Sequence, residues 1–153
     1  MTTKQHITYS RPWLYKKQKE AIFCNERYSV IEASTKSGKT IGCTVWLTEQ
    51  AIQGGLHRNY WWVAPIYGQS EIAFRRLKAG LGEGNYVANN SNLTITLPNG
   101  ATIWFKGGDK PDSLYGEDVY AAVIDEATRC KEEVWHAIRT TLTATRGKIR
   151  IIG

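Results

Sequence analysis

The residues Ala33-Ser34-Thr35-Lys36-Ser37-Gly38-Lys39-Thr40 put small, hydroxylated and basic side chains at a spacing suited to holding phosphate. A loop of this kind curls its backbone N–H groups around a polyanion, and Gly38 permits the close approach. The helix that would follow points its positive end at the same phosphates. In that arrangement Lys39 neutralises the outer phosphates of a nucleoside triphosphate, and Thr40 holds Mg2+ through its hydroxyl. Ser34, Thr35, Lys36, Ser37 and Gly38 complete the nucleotide-binding loop. Ala33 departs from the pattern, standing where such loops commonly have their first glycine. Taken alone, the segment also reads as a Ser/Lys-rich loop that precedes a helix.

A second group of residues narrows the chemistry. Ala121-Ala122-Val123-Ile124-Asp125-Glu126-Ala127 is an apolar run that ends in two acids. In phosphate-loop ATPases an Asp at that place holds Mg2+ through its water shell, and an adjacent Glu polarises the attacking water. An Asp-Glu pair after a strand also suits an ordinary helix N-terminus. The loop comes first, the acid pair later, and a strand–helix unit lies between them. That order favours the ATPase branch that holds helicases and translocases over kinases and GTPases. Upstream, Gln18 offers an amide that can pair with an adenine edge, and Trp13 or Tyr15 offers a ring to stack on the base. Helix packing explains Trp13 equally well.

These residues need elements to position them. Residues 13–23 read as a short helix, and residues 28–33, β-branched at their centre, as a strand running into the loop. Residues 41–52 read as a helix that stops at Gly54-Gly55. Tyr60-Trp61-Trp62-Val63-Ala64-Pro65 is wholly apolar and ends in proline, the pattern of a strand buried on both faces. Residues 69–77 read as a helix. Residues 93–97 and 101–105 alternate with period two around Pro98-Asn99-Gly100, a β-hairpin signal. A strand over 119–124, a helix over 131–142 and a strand over 148–152 complete the pattern. Strands alternating with helices predict an α/β fold: a mostly parallel central sheet flanked by helices, with one antiparallel hairpin inserted. In such sheets the loop-bearing strand and the acid-bearing strand lie on either side of a later strand, and residues 148–152 are the candidate.

The 153 residues carry 20 Lys+Arg against 14 Asp+Glu, a formal charge of +6. A chain this long suits one domain and buries enough surface to need no disulfide or metal staple. With 42% hydrophobic and 22% charged residues it has the composition of a globular domain, which excludes an intrinsically disordered tail. No apolar run approaches the roughly 20 residues of a membrane helix, and the polar start lacks a signal peptide, so an intracellular, soluble domain is expected. Cys24, Cys43 and Cys130 show no Cys-x-x-Cys pairing and read as reduced thiols. His6, His57 and His136 lack metal-ligand spacing. Arg75, Arg76 and Lys78 cluster on one predicted helix and could grip DNA phosphates, although a solvated helix face explains them more simply. The chain stops directly after a strand, which suggests a truncated piece of something longer.

The whole arrangement resembles the N-terminal ATPase domain of the large terminase subunit of tailed bacteriophages. The resemblance runs through the Gln18 segment, the loop ending at Thr40, Trp61-Trp62-Val63-Ala64-Pro65-Ile66-Tyr67-Gly68-Gln69-Ser70, Asp112-Ser113-Leu114-Tyr115-Gly116, Ile124-Asp125-Glu126-Ala127, and the stretch from Thr140 to the end. It implies that Lys39 and Thr40 bind Mg-ATP, that Asp125 holds the metal and that Glu126 is the catalytic carboxylate. It also implies DNA translocation into a procapsid, double-stranded DNA and a small terminase subunit as partners, a portal ring, a homo-oligomeric ring of motor subunits, and work in the cytoplasm of an infected host. A nuclease domain and the motif that couples hydrolysis to movement would lie outside this sequence. Many members carry an Arg at the place of Thr35 and another at the place of Tyr115. An arginine finger is therefore expected from elsewhere or from a neighbouring subunit. Arg129, Arg139 and Arg146 are the candidates, Arg139 and Arg146 foremost because they flank residues 140–145. A helicase-like nucleic-acid translocase and a non-catalytic nucleotide- or partner-binding module are the alternatives.

Overall fold

A computed structural model describes residues 16–31 and 36–153, together with Tyr9, Arg11 and Leu14; for Gln18 and residues 36–38 it describes the backbone alone. Seven strands form one sheet in the order β1-β7-β6-β2-β5-β4-β3. In chain order the elements are α1 (Lys16–Ile22), β1 (Tyr28–Ile31), α2 (Lys36–Gln53), β2 (Asn59–Ala64), α3 (Tyr67–Leu81), β3 (Val87–Asn89), β4 (Thr94–Thr96), β5 (Thr102–Gly107), β6 (Val119–Ile124), α4 (Glu132–Thr145) and β7 (Lys148–Ile152). Strands β1, β7, β6, β2 and β5 pair in parallel, and β4 and β3 add antiparallel. The expected mostly parallel sheet with an antiparallel insertion is what the chain forms.

Alternation along β2 shows how the sheet is built. Successive strand residues face opposite sides, and all of Tyr60 to Ala64 are buried. Tyr60 and Trp62 join a core with Trp46 and Leu47 of α2 and Phe74 of α3, while Trp61 and Val63 join a core with Val134, Ile138 and Leu142 of α4. Crossovers between parallel strands are right-handed. The chain moves one way from β1 to β2 and the other way from β6 to β7, so α2 and α3 cover one face and α4 the other.

Strand β7 lies between β1 and β6, with Ile151 opposite both Val30 and Ile124. This register brings the carboxyl ends of β1 and β6 level. They lie two strand spacings apart, about 10 Å. The hairpin over residues 93–105 forms as read, but its second strand also pairs with β2, so β5 joins the insertion to the parallel core. Strand β3 gave no sequence signal: it is three residues long, and Val87 and Asn89 are exposed.

Arg150 of β7 is wholly buried, and among the described residues no carboxylate pairs with it. Its guanidinium donates to the carbonyls of Ile22 (2.6 Å), Cys24 (2.8 Å), Glu26 (3.0 Å) and Ile149 (2.9 Å), and lies 4.5 Å over the Trp46 ring. The turn between α1 and β1 is thereby pinned to the centre of the sheet. Burial lowers the pKa of this guanidinium, which nonetheless stays charged.

Candidate functional site

Parallel strands end at the same edge, so the start of α2 and the segments after β2 and β6 meet there. Helix α2 follows the loop after β1 and carries Lys39, buried, and Thr40, half-buried, in its first turns. Asp125 follows β6 directly, and its backbone N–H donates to Val63 O at 2.8 Å, which extends the β6–β2 pairing by one residue. Lys39, Thr40, Asp125 and Glu126 line one cavity of about 330 Å³ together with Gln69 and Arg76 of α3. The sequence-predicted pairing of loop lysine and acid pair is therefore realised in space. Gln18, Ser34, Thr35, Lys36, Ser37 and Gly38 were also expected to touch nucleotide. Ser34 and Thr35, and the side chains of Gln18 and of residues 36–38, lie outside what the structure describes.

Glu126 has φ 48° and ψ 50°, the left-handed region that non-glycine residues seldom occupy. Such a conformation persists where surrounding contacts over-determine it, and those sites are commonly functional. Gln69 Nε2 donates to Glu126 Oε2 at 3.3 Å, and Arg129 Nη1 lies 3.8 Å from the same oxygen. Gln69 Oε1 is buried with no hydrogen-bond partner among the described residues, an acceptor held at the cavity wall. Gln69 sits at the start of α3 because Pro65 ends β2 and the helix opens at Tyr67. Sequence reasoning placed Gln69 in a segment similar to terminases but gave it no role, since only tertiary contact brings it to Glu126.

Nearby, the thiol of Cys130 is pushed up to about 11, first by burial and then by the negative charges of Asp125 and Glu126. Burial pushes the Cys43 thiol up to about 12. Further along α2, Glu49 is buried and receives Tyr9 Oη at 3.0 Å and Arg11 Nε at 2.8 Å, which ties the chain ahead of α1 to this helix.

Of the candidate fingers, only Arg129 meets the acid pair. Arg139 is exposed midway along α4. Arg146 caps the end of α4, where Thr145 Oγ1 donates to Val119 O at the opposite end of β6. Five residues of strand separate Val119 from Ile124, roughly 17 Å. Arg146 therefore cannot reach the acid pair of its own chain, and its expected place at the catalytic centre is corrected to that extent: α4 runs away from the site rather than along it. The Arg75, Arg76 and Lys78 cluster also divides, because Arg75 bonds to Glu71 and Lys78 to Asn90 while Arg76 lines the cavity.

No protein-family profile matches the sequence, and no curated protein matches it. Solved structures do. The ATPase domain of the Thermus phage P74-26 large terminase superposes with a TM-score of 0.74 at 20% identity, over 99% of this chain and 64% of that one. The HK97 bacteriophage large terminase gives a TM-score of 0.76 at 18% identity, over 92% and 33%. The large terminase of a thermophilic bacteriophage, solved with ADP, gives 0.72 at 18% identity, over 91% and 38%. The chain thus has the fold of large terminase ATPase domains and spans about two-thirds or less of the length of each. Among the described residues, no helix is long and apolar enough to cross a membrane.

Proposed function

We propose that this chain is the ATPase core of a viral DNA-packaging motor, a terminase large subunit that hydrolyses Mg-ATP. The observation that carries the reading is the convergence of Lys39 and Thr40 with Asp125 and Glu126 around one cavity, level across β7. The shared fold supports it, as does the ADP bound in one of the similar terminases.

The donor set suits magnesium. Thr40 and Asp125 offer hard oxygen atoms, and no group of three His, Cys, Asp or Glu among the described residues could enclose a softer metal. An ion that takes the rest of its ligands from phosphate and water fits these two. When bound, it offsets the negative charge of the β- and γ-phosphates. Lys39, at the positive end of α2, binds the same phosphates.

Glu126 accepts a proton from a water whose oxygen attacks the γ-phosphorus. The bond from phosphorus to the bridging oxygen breaks, and its electron pair leaves with ADP. Gln69 positions this step: its amide N–H holds Glu126, and its Oε1 is available to the second hydrogen of the water. The wider role follows the terminase likeness. It includes translocation of double-stranded DNA into a procapsid in the host cytoplasm, a small terminase subunit, a portal ring, and a homo-oligomeric ring in which Arg139 or Arg146 serves a neighbour's site.

Phosphate release from Mg-ATP by the full chain, over a wide range of protein concentration, tests the reading. Glu126→Gln should abolish turnover and keep Mg-ATP binding. Equal turnover in that variant would remove Glu126 from the mechanism. Specific activity that climbs with concentration would support an arginine supplied by a neighbour.

A further inference from the structure

Helix α3 presents Gln69, Ile72, Ala73 and Arg76 to the cavity. Their spacing of three, four and seven residues puts them on one helix face. Gln69 holds Glu126 at one end of that face. Arg76 lies two turns further, about 10 Å along the axis. There it lines a second cavity of about 220 Å³ between α2 and α3, bordered by Ile41, Thr44, Val45 and Leu77. Arg76 and Thr40 are the residues that both cavities share, so Arg76 stands where they join, on the Thr40 side of the site.

Its basic neighbours are occupied. Arg75 bonds to Glu71 one turn earlier, and Lys78 donates to Asn90 Oδ1 at 3.2 Å and lies 4.5 Å over the Phe74 ring. Among the described residues Arg76 makes no hydrogen bond or ion pair. An exposed guanidinium with five donors and no acceptor, where cavities of about 330 and 220 Å³ join, is matched to an anion.

We propose that Arg76 is the cation this chain itself supplies to the terminal phosphate of a bound nucleoside triphosphate. The proposal rests on the nucleotide reading above. Arg76 donates hydrogen bonds to γ-phosphate oxygens and stabilises the charge that spreads over them in the transition state; it exchanges no proton. A phosphate of duplex DNA is the competing anion. The junction beside Thr40 favours the nucleotide, because a DNA backbone would have to enter the cavity that Lys39 and the acid pair enclose.

The test is calorimetric titration of the full chain with ATP-gamma-S and with ADP, each with Mg2+, for the unaltered protein, Arg76→Ala, Arg76→Lys and Arg75→Ala. Loss of one charge-assisted contact should weaken ATP-gamma-S by about tenfold or more in Arg76→Ala, and leave ADP within about twofold of the unaltered chain. Arg76→Lys should fall between, and Arg75→Ala should match the unaltered chain. Equal weakening of both nucleotides, or of neither, overturns the proposal while the ATPase reading stands. Loss of duplex DNA binding with nucleotide selectivity intact reassigns Arg76 to DNA and overturns it too. If the unaltered chain binds neither nucleotide, the proposal and the reading beneath it fall together.

Discussion

Replacing Arg150 with methionine keeps an unbranched but shorter apolar stem and removes five donors from a site with no access to solvent. Four carbonyls lose the guanidinium. Those of Cys24 and Glu26 belong to partly or fully exposed residues and can turn to water. That of Ile149 keeps the Ser29 N–H of the β1–β7 ladder, whereas that of Ile22, a residue 0% exposed, is left without its donor. An unsatisfied buried carbonyl costs about 1–3 kcal/mol, so this one contributes about 2 kcal/mol. Removing a buried charge recovers part of its desolvation cost, and losing the contact with Trp46 works against that recovery. The expected loss is about 2 kcal/mol, or about 4–8 °C in Tm for a chain of this size. Arg150→Lys should recover about half, because a compact ammonium cannot span carbonyls that the planar fork reaches together. Urea denaturation followed by tryptophan fluorescence measures both variants, with Trp46 as a reporter beside the guanidinium. A loss below about 1 kcal/mol in Arg150→Met, or a lysine variant equal to the unaltered protein, would refute the reasoning. Either would mean that the turn carbonyls are hydrated and that β7 does not need this anchor. Since β7 also spaces the two halves of the proposed nucleotide site, the rise in Tm on adding Mg-ATP should shrink in Arg150→Met.

Gln69→Leu removes the amide that holds Glu126 but keeps similar bulk on α3. Turnover should fall by about a hundredfold with little change in ADP affinity, as expected for a group that positions a base; loss of ADP binding in step with turnover would argue for a structural role instead. The Cys43 thiol titrates near 9.0 when unfolded and, because burial disfavours the thiolate, at about 12 when folded. The unfolded chain therefore releases its proton first, so the stabilising effect is complete below about pH 9 and is lost as pH rises toward 12. Cys43→Ala lacks this term, so its stability deficit should narrow by about 2 kcal/mol between pH 8 and pH 10.5 in denaturant titrations. Parallel curves for the two proteins would contradict it.

The sequence by itself determined the elements and the two halves of the site. Apolar periodicity marked β2, β6 and β7, glycines ended α2, and the spacing of Lys39, Thr40, Asp125 and Glu126 pointed to the chemistry proposed above. These signals are local: a strand or helix stands out from the residues within one or two turns of it, and the right-handed crossover rule then assigns each helix to a face of the sheet. The place of β7 between β1 and β6 was legible from the order that such sheets share, with the loop-bearing and acid-bearing strands on either side of a later one. Tertiary structure alone decided which distant side chains converge. Gln69 reaches Glu126 across 57 residues of sequence, and Arg150 reaches Ile22 across 128. Nothing in the residues around Arg76 separates it from Arg75, because which face of α3 turns toward α2 is settled by packing on the sheet. Arg146 looked near the acid pair along the chain, yet α4 carries it to the far edge. Strand β3 was hidden because a short, exposed edge strand takes its shape from the β4 backbone beside it rather than from its own side chains. Local pattern specifies elements through short-range sterics and burial, whereas a site assembled from three strand ends and one helix face exists only once the sheet has fixed their register.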